Sequence, residues 1–267
     1  MLYFVATPIG NLKDISLRAL EVLKSVDEIA CEDTRHSLTL LSAYEIKKPL
    51  FSYHKFNEKE ECEKIIAKLK DGKNIAVITD AGLPVISDPG NVLVNALIEN
   101  GLEYTVIPGA NAALSALILS GFNAEHFCFL GFLPEKKRDR EELLKYYKNL
   151  PATLIFYSAP HDVKKDVAAL YEILGERKAA AVKEITKIHE RAEFFDLKDG
   201  LASEPKGEYV LVVEGATENA DFLGLSEEEH IKMYIDGGMD KKEALKRVAK
   251  ERGVSKSSLY KYTIKDL

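Results

Sequence analysis

The chain is poor in cysteine, has no apolar run of bilayer length, and lacks both glycine-rich fingerprints of common nucleotide sites. Its three cysteines, Cys31, Cys62 and Cys128, are scattered. They have neither metal-ligand spacing nor the pattern of a disulfide framework. No metal site is therefore expected, and a reducing cytoplasm is the expected compartment. Without an apolar stretch long enough to cross a bilayer, no membrane association is expected. The start, Met1-Leu2-Tyr3-Phe4-Val5-Ala6, has no basic segment and reads as a first strand rather than a signal peptide. The loop after it, Thr7-Pro8-Ile9-Gly10-Asn11, carries neither G-x-G-x-x-G nor G-x-x-x-x-G-K-[ST], which disfavours classical dinucleotide and P-loop sites. A net charge of −6 argues against a uniformly basic nucleic-acid binder.

What the chain does have is a dense loop signal. With 267 residues, 46% hydrophobic and 30% charged, it has the composition of a globular protein long enough for two cores. The apolar run Ile75 to Ile78 reads as a buried strand. The segment Thr79 to Gly90 that follows holds two Asp, two Gly and two Pro in twelve residues, so it is neither helix nor central strand. In open α/β sheets a rigid loop at a strand's carboxyl end is where ligands sit. The competing reading is a plain turn in which Asp88 or Asn91 caps the helix from Val92 to Asn100. Two further apolar strands end in Pro/Gly loops, at residues 7–10 and 108–113. Three such loops on one sheet edge look like the walls of one pocket.

Other segments carry polar residues beside strands. Glu28 to Cys31 reads as a strand running into Glu32-Asp33-Thr34-Arg35-His36. That cluster is either substrate-facing or a helix start capped by Asp33 or Thr34. After Phe51 to His54, Asn57 and Glu60 have capping-box spacing. From residue 120 a second α/β pattern begins, with Phe132-Leu133-Pro134 near the seam and Tyr209 to Val213 as its strongest strand. Ala192 to Phe195 is expected among the partners of that strand, in a mixed or antiparallel sheet. The expected division is 1–119, 120–223 and an all-helical module at 224–267. In that module Ser226 starts one helix, Asp240 with Glu243 caps a second, and Ser255 caps a short third. This is helix-turn-helix spacing. Residues 240–267 hold nine Lys/Arg against four Asp/Glu, an excess of +5, so the remainder carries −11.

Seven stretches then occur in a recognisable order. They are Val5-Ala6-Thr7-Pro8-Ile9-Gly10-Asn11-Leu12, Cys31-Glu32-Asp33-Thr34-Arg35, Asp80-Ala81-Gly82 with Ile86-Ser87-Asp88-Pro89-Gly90, Pro108-Gly109-Ala110, Gly131-Phe132-Leu133-Pro134, Glu184-Ile185-Thr186-Lys187 and Lys206-Gly207-Glu208. Together they closely resemble the ribosomal RNA small subunit methyltransferase I family of the tetrapyrrole methylase superfamily, over nearly the whole chain. The resemblance implies a two-domain α/β fold with a parallel N-terminal and a mixed C-terminal sheet. It implies S-adenosylmethionine (SAM) as methyl donor, folded between the two domains. It further implies 2′-O-methylation of a cytidine ribose in 16S ribosomal RNA of the small subunit, by a homodimer. Carried over by motif, the SAM wall comprises Pro8, the loop from Asp80 to Gly90 (Asp80, Ala81, Gly82, Val85, Ile86 and Ser87 above all), the stretch Pro108 to Ala112 with Pro108, Gly109 and Ala112, and Phe132. Tyr157 and Thr186 join it from the second domain. The sequence departs from the family at Tyr53-His54-Lys55-Phe56-Asn57-Glu58, at Pro160-His161-Asp162 and at Lys183.

A ribose hydroxyl is a poor nucleophile unless a base takes its proton. The candidates are Glu32, Asp33 and His54, while Arg35 suits a phosphate. The basic tail, through Lys246, Arg247, Lys250 and Lys256, is the expected RNA-contacting surface. Two other functions share parts of this pattern. One is a tetrapyrrole methyltransferase, which has no use for a basic tail. The other is a non-catalytic RNA-binding assembly protein.

Overall fold

A computed structural model describes residues 1–216 and 225–262. The expected boundary at 223/224 lies outside the described residues. In chain order the elements are β1 (Leu2–Val5), α1 (Leu17–Ser25), β2 (Glu28–Cys31), α2 (Thr34–Ala43), β3 (Leu50–Ser52), α3 (Glu58–Lys70), β4 (Ile75–Ile78), α4 (Asn91–Glu99), β5 (Tyr104–Ile107) and α5 (Ala112–Ser120). These strands form one sheet in the order β3-β2-β4-β1-β5, and every pairing is parallel. The continuous apolar runs follow from this arrangement, because both faces are covered by helices. Along β4, Ile75 and Val77 face a core shared with Ile65, Leu93 and Leu97 of α3 and α4. Its alternate residues, Ala76 and Ile78, face Ala19, Leu23 and Leu41 of α1 and α2.

The second half contains β6 (Phe127–Phe132), α6 (Lys137–Tyr147), β7 (Thr153–Ser158), α7 (Val163–Leu174), β8 (Lys178–Lys183), β9 (Arg191–Asp196) and β10 (Tyr209–Val213). The sheet order is β6-β7-β10-β8-β9, with β6 parallel to β7 and the other pairs antiparallel. This is the mixed sheet expected from the sequence. The expected pairing of Ala192 to Phe195 with the strongest strand is corrected. β10 lies between β7 and β8, and β9 pairs with β8 at the sheet edge. All five residues of β10 are buried, whereas β9 is half-exposed. The fully apolar strand therefore takes the central position. One face of this sheet packs on α6 and α7 through Leu144, Val167 and Leu170. The other receives α5, whose Ala113, Ala116 and Leu117 meet Ile155, Val182, Val210 and Val212. Thus α5, which follows the last strand of the first sheet, packs on the second and joins the two halves.

The tail consists of α8 (Glu227–Asp236), α9 (Lys241–Glu251) and α10 (Lys256–Leu259). Ser226 and Glu229 form a reciprocal capping box at the start of α8. Asp240 caps α9 by accepting from the Lys242 amide, and Ser255 caps α10. Ile231, Leu245, Val248, Ala249 and Leu259 form a separate small core. Because α10 is a single turn, it is too short to act as a groove-reading recognition helix.

Two expected caps are absent. Asn57 makes no capping bond to α3. Its Oδ1 instead accepts from the His54 amide at 2.8 Å, and its Nδ2 donates to the Ser52 carbonyl at 2.9 Å. Neither Asp88 nor Asn91 caps α4, whose N-cap is Gly90.

Candidate active site

The carboxyl ends of β4, β1 and β5 lie side by side because these strands are parallel neighbours. Their loops are tied to each other. The Thr7 amide donates to the Gly82 carbonyl at 2.8 Å, and the Gly82 amide donates back to the Thr7 carbonyl at 3.1 Å. The Thr7 hydroxyl donates to the Thr79 carbonyl at 3.0 Å. Gly82 has φ +82°, a conformation that costs glycine little and a branched residue much. Val85 and Ser87 in the same loop also have positive φ, at 76° and 65°. A β-branched residue in that region is held there by its surroundings, and such strain concentrates at binding sites. Glu58 supplies one restraint. Its Oε1 accepts from the Gly90 amide at 2.7 Å and from the Tyr53 hydroxyl at 3.2 Å. Tyr53 and Glu58, in the stretch that departs from the family, thus hold the end of the loop.

The loops border a cleft of about 380 Å³ that is also lined by the second half of the chain. That volume is within the range of small-molecule sites. Three carboxylates, Glu32, Asp80 and Asp88, line the first half. The Thr79 hydroxyl donates to Glu32 Oε2 at 3.3 Å. Burial raises the Asp88 carboxyl to a pKa of about 6, reinforced by the nearby charges of Glu32 and Asp80 and opposed by the Thr79 hydroxyl. Asp80 Oδ1 is buried without a hydrogen-bond partner. A wall of three acids with an unpaired buried oxygen suits a cationic ligand. The opposite side carries Phe132 and Tyr157, whose rings meet edge to face with centroids 5.5 Å apart. Burial pushes the Tyr157 phenol up. Lys187 sits there between Glu184 at 3.0 Å and Glu208 at 3.5 Å. The first loop approaches this side closely: a Cβ on Gly10 would lie 2.7 Å from Lys187 Cγ and 2.9 Å from Thr186 Oγ1.

Of the residues expected at the cofactor wall, Asp80, Ala81, Gly82, Ile86, Ser87, Ala112, Phe132 and Tyr157 line the cleft. Pro8 is buried beside the lining residue Ile9. Val85 packs against the core under α4. Pro108 and Gly109 are exposed and outside the lining. Thr186 lies between the lining residues Ile185 and Lys187, with its Oγ1 buried and unpartnered. Among the base candidates only Glu32 lines the cleft. Asp33 caps α2 through the Arg35 amide at 2.8 Å. Asp33 also pairs with the Arg35 guanidinium at 2.9 Å. Arg35 holds the Asp33 carboxyl down to about 2. His54 has its Nδ1 buried without a partner, and its ring rests against Phe56. In the tail, Lys246 and Lys250 are exposed. Arg247 is bonded to Glu251 at 2.9 Å and lies 5.1 Å over the Tyr234 ring. Lys256 lies 5.9 Å from the Tyr260 ring.

The sequence includes Asp88 in the loop of the cofactor wall and His36 in the polar run after β2 without singling out either, and it assigns no site role to Glu184, Lys187 or Glu208. Asp88 stands inside the Thr79 to Gly90 loop, but its spacing before a helix also fits a cap. The signal for His36 was its place at the end of the polar run after β2. Only the adjacency of β2 and β4 brings it to Asp80, with His36 Nδ1 3.4 Å from Asp80 Oδ2.

Residues 1–199 match the family model for tetrapyrrole (corrin/porphyrin) methylases. The fold is shared with uroporphyrin-III-C-methyltransferase from Thermus thermophilus, at TM-score 0.56 and 21% identity over 80% of this chain and 93% of that one. It is also shared with a diphthine synthase, at TM-score 0.64 and 16% identity over 80% of this chain and 89% of that one. Two sheets around a loop-lined cleft therefore define a methyltransferase of the tetrapyrrole methylase class. A Bacillus subtilis (strain 168) protein named ribosomal RNA small subunit methyltransferase I is 45% identical over 97% of this chain and 92% of its own length. The chain belongs to the ribosomal RNA small subunit methyltransferase I family, and its methyl donor is S-adenosylmethionine.

Proposed function

We propose that this enzyme methylates the 2′-oxygen of a cytidine ribose in the 16S ribosomal RNA of the small ribosomal subunit. Membership of the family supports the substrate. The acid-walled cleft at the edge of the parallel sheet is the observation that carries the chemistry. SAM bears a sulfonium and an amino group, both positive, and when bound it supplies an electrophilic methyl group. Glu32, Asp80 and Asp88 complement that charge. The buried, unpartnered Asp80 Oδ1 is an acceptor for a ligand donor. Backbone groups of the 80–90 loop, with Phe132 and Tyr157 opposite, hold and orient the cofactor. Much of the acceleration comes from holding the ribose oxygen in line with the methyl group.

The tail is proposed to hold RNA over the acidic body. Its exposed Lys246 and Lys250 meet phosphates, which position a substrate without reading its sequence. Arg247 is engaged within the tail instead. The chain is proposed to work in the cytoplasm as a homodimer. Leu114 and Ile118 on α5 are exposed to 45% and 77%, and burial against a second copy would remove that apolar surface from water. Among the described residues no helix is long and apolar enough to cross a membrane.

The decisive experiment incubates the protein and labelled SAM with small subunits from a strain lacking this gene, then maps the methylated nucleotide. Label on one cytidine ribose supports the reading. In a parallel incubation with a tetrapyrrole, label there but not on subunits would assign the second substrate class. Stoichiometric SAM binding without turnover would assign a non-catalytic role.

A further inference from the structure

We infer that His36, oriented by Asp80, is the base that takes the proton from the ribose hydroxyl; this rests on the ribose-methylation reading above. His36 lies in the first turn of α2, directly after β2. Asp80 follows β4, the strand paired with β2. The two side chains meet at the same sheet edge, with Nδ1 and Oδ2 3.4 Å apart. Asp80 lines the cleft, while the His36 side chain is 59% exposed. A carboxylate facing Nδ1 favours the tautomer with its proton there, which leaves the lone pair on Nε2. Among the described residues Nε2 has no hydrogen-bond partner. The imidazole thus has one edge fixed beside the cofactor cleft and the other open to a macromolecule. A base serving a ribose on a large RNA needs that placement.

The other candidates are less suited. Asp33 is committed to Arg35, which holds its carboxyl to about 2 and makes it a weak base. Glu32 accepts from Thr79 inside the acidic wall, where its negative charge complements a cation. His54 is outside the lining, and its ring rests on Phe56. The proton balance is simple. The hydroxyl O–H bond breaks and its proton moves to Nε2. The oxygen bonds the methyl carbon, and the carbon–sulfur electron pair stays with sulfur. The imidazolium then returns the proton to solvent through its exposed edge.

The test compares the parent with His36→Ala and His36→Gln. In single-turnover methyl transfer to unmethylated small subunits, His36→Ala should be slower by about 100-fold or more, with SAM affinity within about threefold by calorimetry. Added imidazole should restore part of the His36→Ala rate. A second readout needs neither SAM nor turnover. The free parent is treated with diethyl pyrocarbonate, with and without small subunits, and labelled histidines are mapped by mass spectrometry. His36 should be labelled in the free protein and protected by subunits. A His36→Ala rate within threefold of the parent, or labelling of His36 unchanged by subunits, overturns the inference while leaving the ribose-methylation reading intact. A parent that transfers no methyl to ribose sinks that reading itself.

Discussion

Replacing Asp88 with Asn should make the protein more stable and a poorer SAM binder, and both effects should grow with pH. The Asp88 carboxyl is half-buried beside Glu32 and Asp80, and its pKa rises from 3.8 to about 6. Below about pH 4 the folded and unfolded states both hold the proton. Between the two pKa values the unfolded chain ionises first, so the folded state binds more protons and stability falls as pH rises. Above about pH 6 the penalty is complete. A shift of about two units at ~1.36 kcal/mol each sets a ceiling of ~3 kcal/mol. Partial exposure and solvent screening reduce this to about 1–2 kcal/mol. Asn keeps the shape and loses the charge. The variant should therefore match the parent near pH 4 and melt higher above pH 7, by about 2–4 °C per kcal/mol. SAM affinity should fall by about tenfold at pH 7.5, equivalent to ~1.4 kcal/mol, and converge with the parent below pH 5. Thermal melts of the free protein and calorimetric titrations across pH 4.5 to 8 provide the two measurements. Parallel melting curves across that range would refute the charge argument.

Three further outcomes are expected. Gly82→Val should lose SAM affinity at least tenfold by calorimetry. A Cβ there meets only Ile9 Cγ2 at 3.5 Å and the Ala110 carbonyl at 3.9 Å, so the damage comes from φ +82°, at roughly 1–3 kcal/mol; unchanged affinity in a folded variant would rule the loop out as cofactor wall. Glu58→Ala should leave the Gly90 amide without its acceptor, lower stability by about 1–3 kcal/mol and weaken SAM binding. Glu58→Gln should recover part of both, and equal behaviour of Ala and Gln in melts and titrations would contradict the hydrogen-bond account. Lys246→Glu with Lys250→Glu should weaken subunit binding while sparing SAM affinity. It should flatten the log–log salt dependence by about 0.7 to 0.9 per lost phosphate contact, and an unchanged slope would make the tail a structural element only.

Much of this protein is written in short-range pattern. Apolar runs of four or five residues separated by helical periodicity mark the strands of a parallel sheet, since both faces of such strands are buried. The Pro/Gly loops after β1, β4 and β5 were legible because backbone conformation is a local property of those residues. Caps at Asp33, Ser226, Asp240 and Ser255 follow from the same locality. Partner choice over distance was not legible. Ala192 to Phe195 and Ala179 to Val182 are both plausible neighbours for β10 by pattern. The central place went to the strand that could be buried on both faces, and the half-polar β9 took the edge. Asn57 and Asp88 had cap spacing, yet Asn57 closes its own loop through His54 and Ser52, and tertiary packing draws Asp88 to the acidic wall. The site itself depends on strand order. His36 and Asp80 are far apart along the chain, and only the pairing of β2 with β4 places an imidazole against that carboxylate at the rim of the cleft.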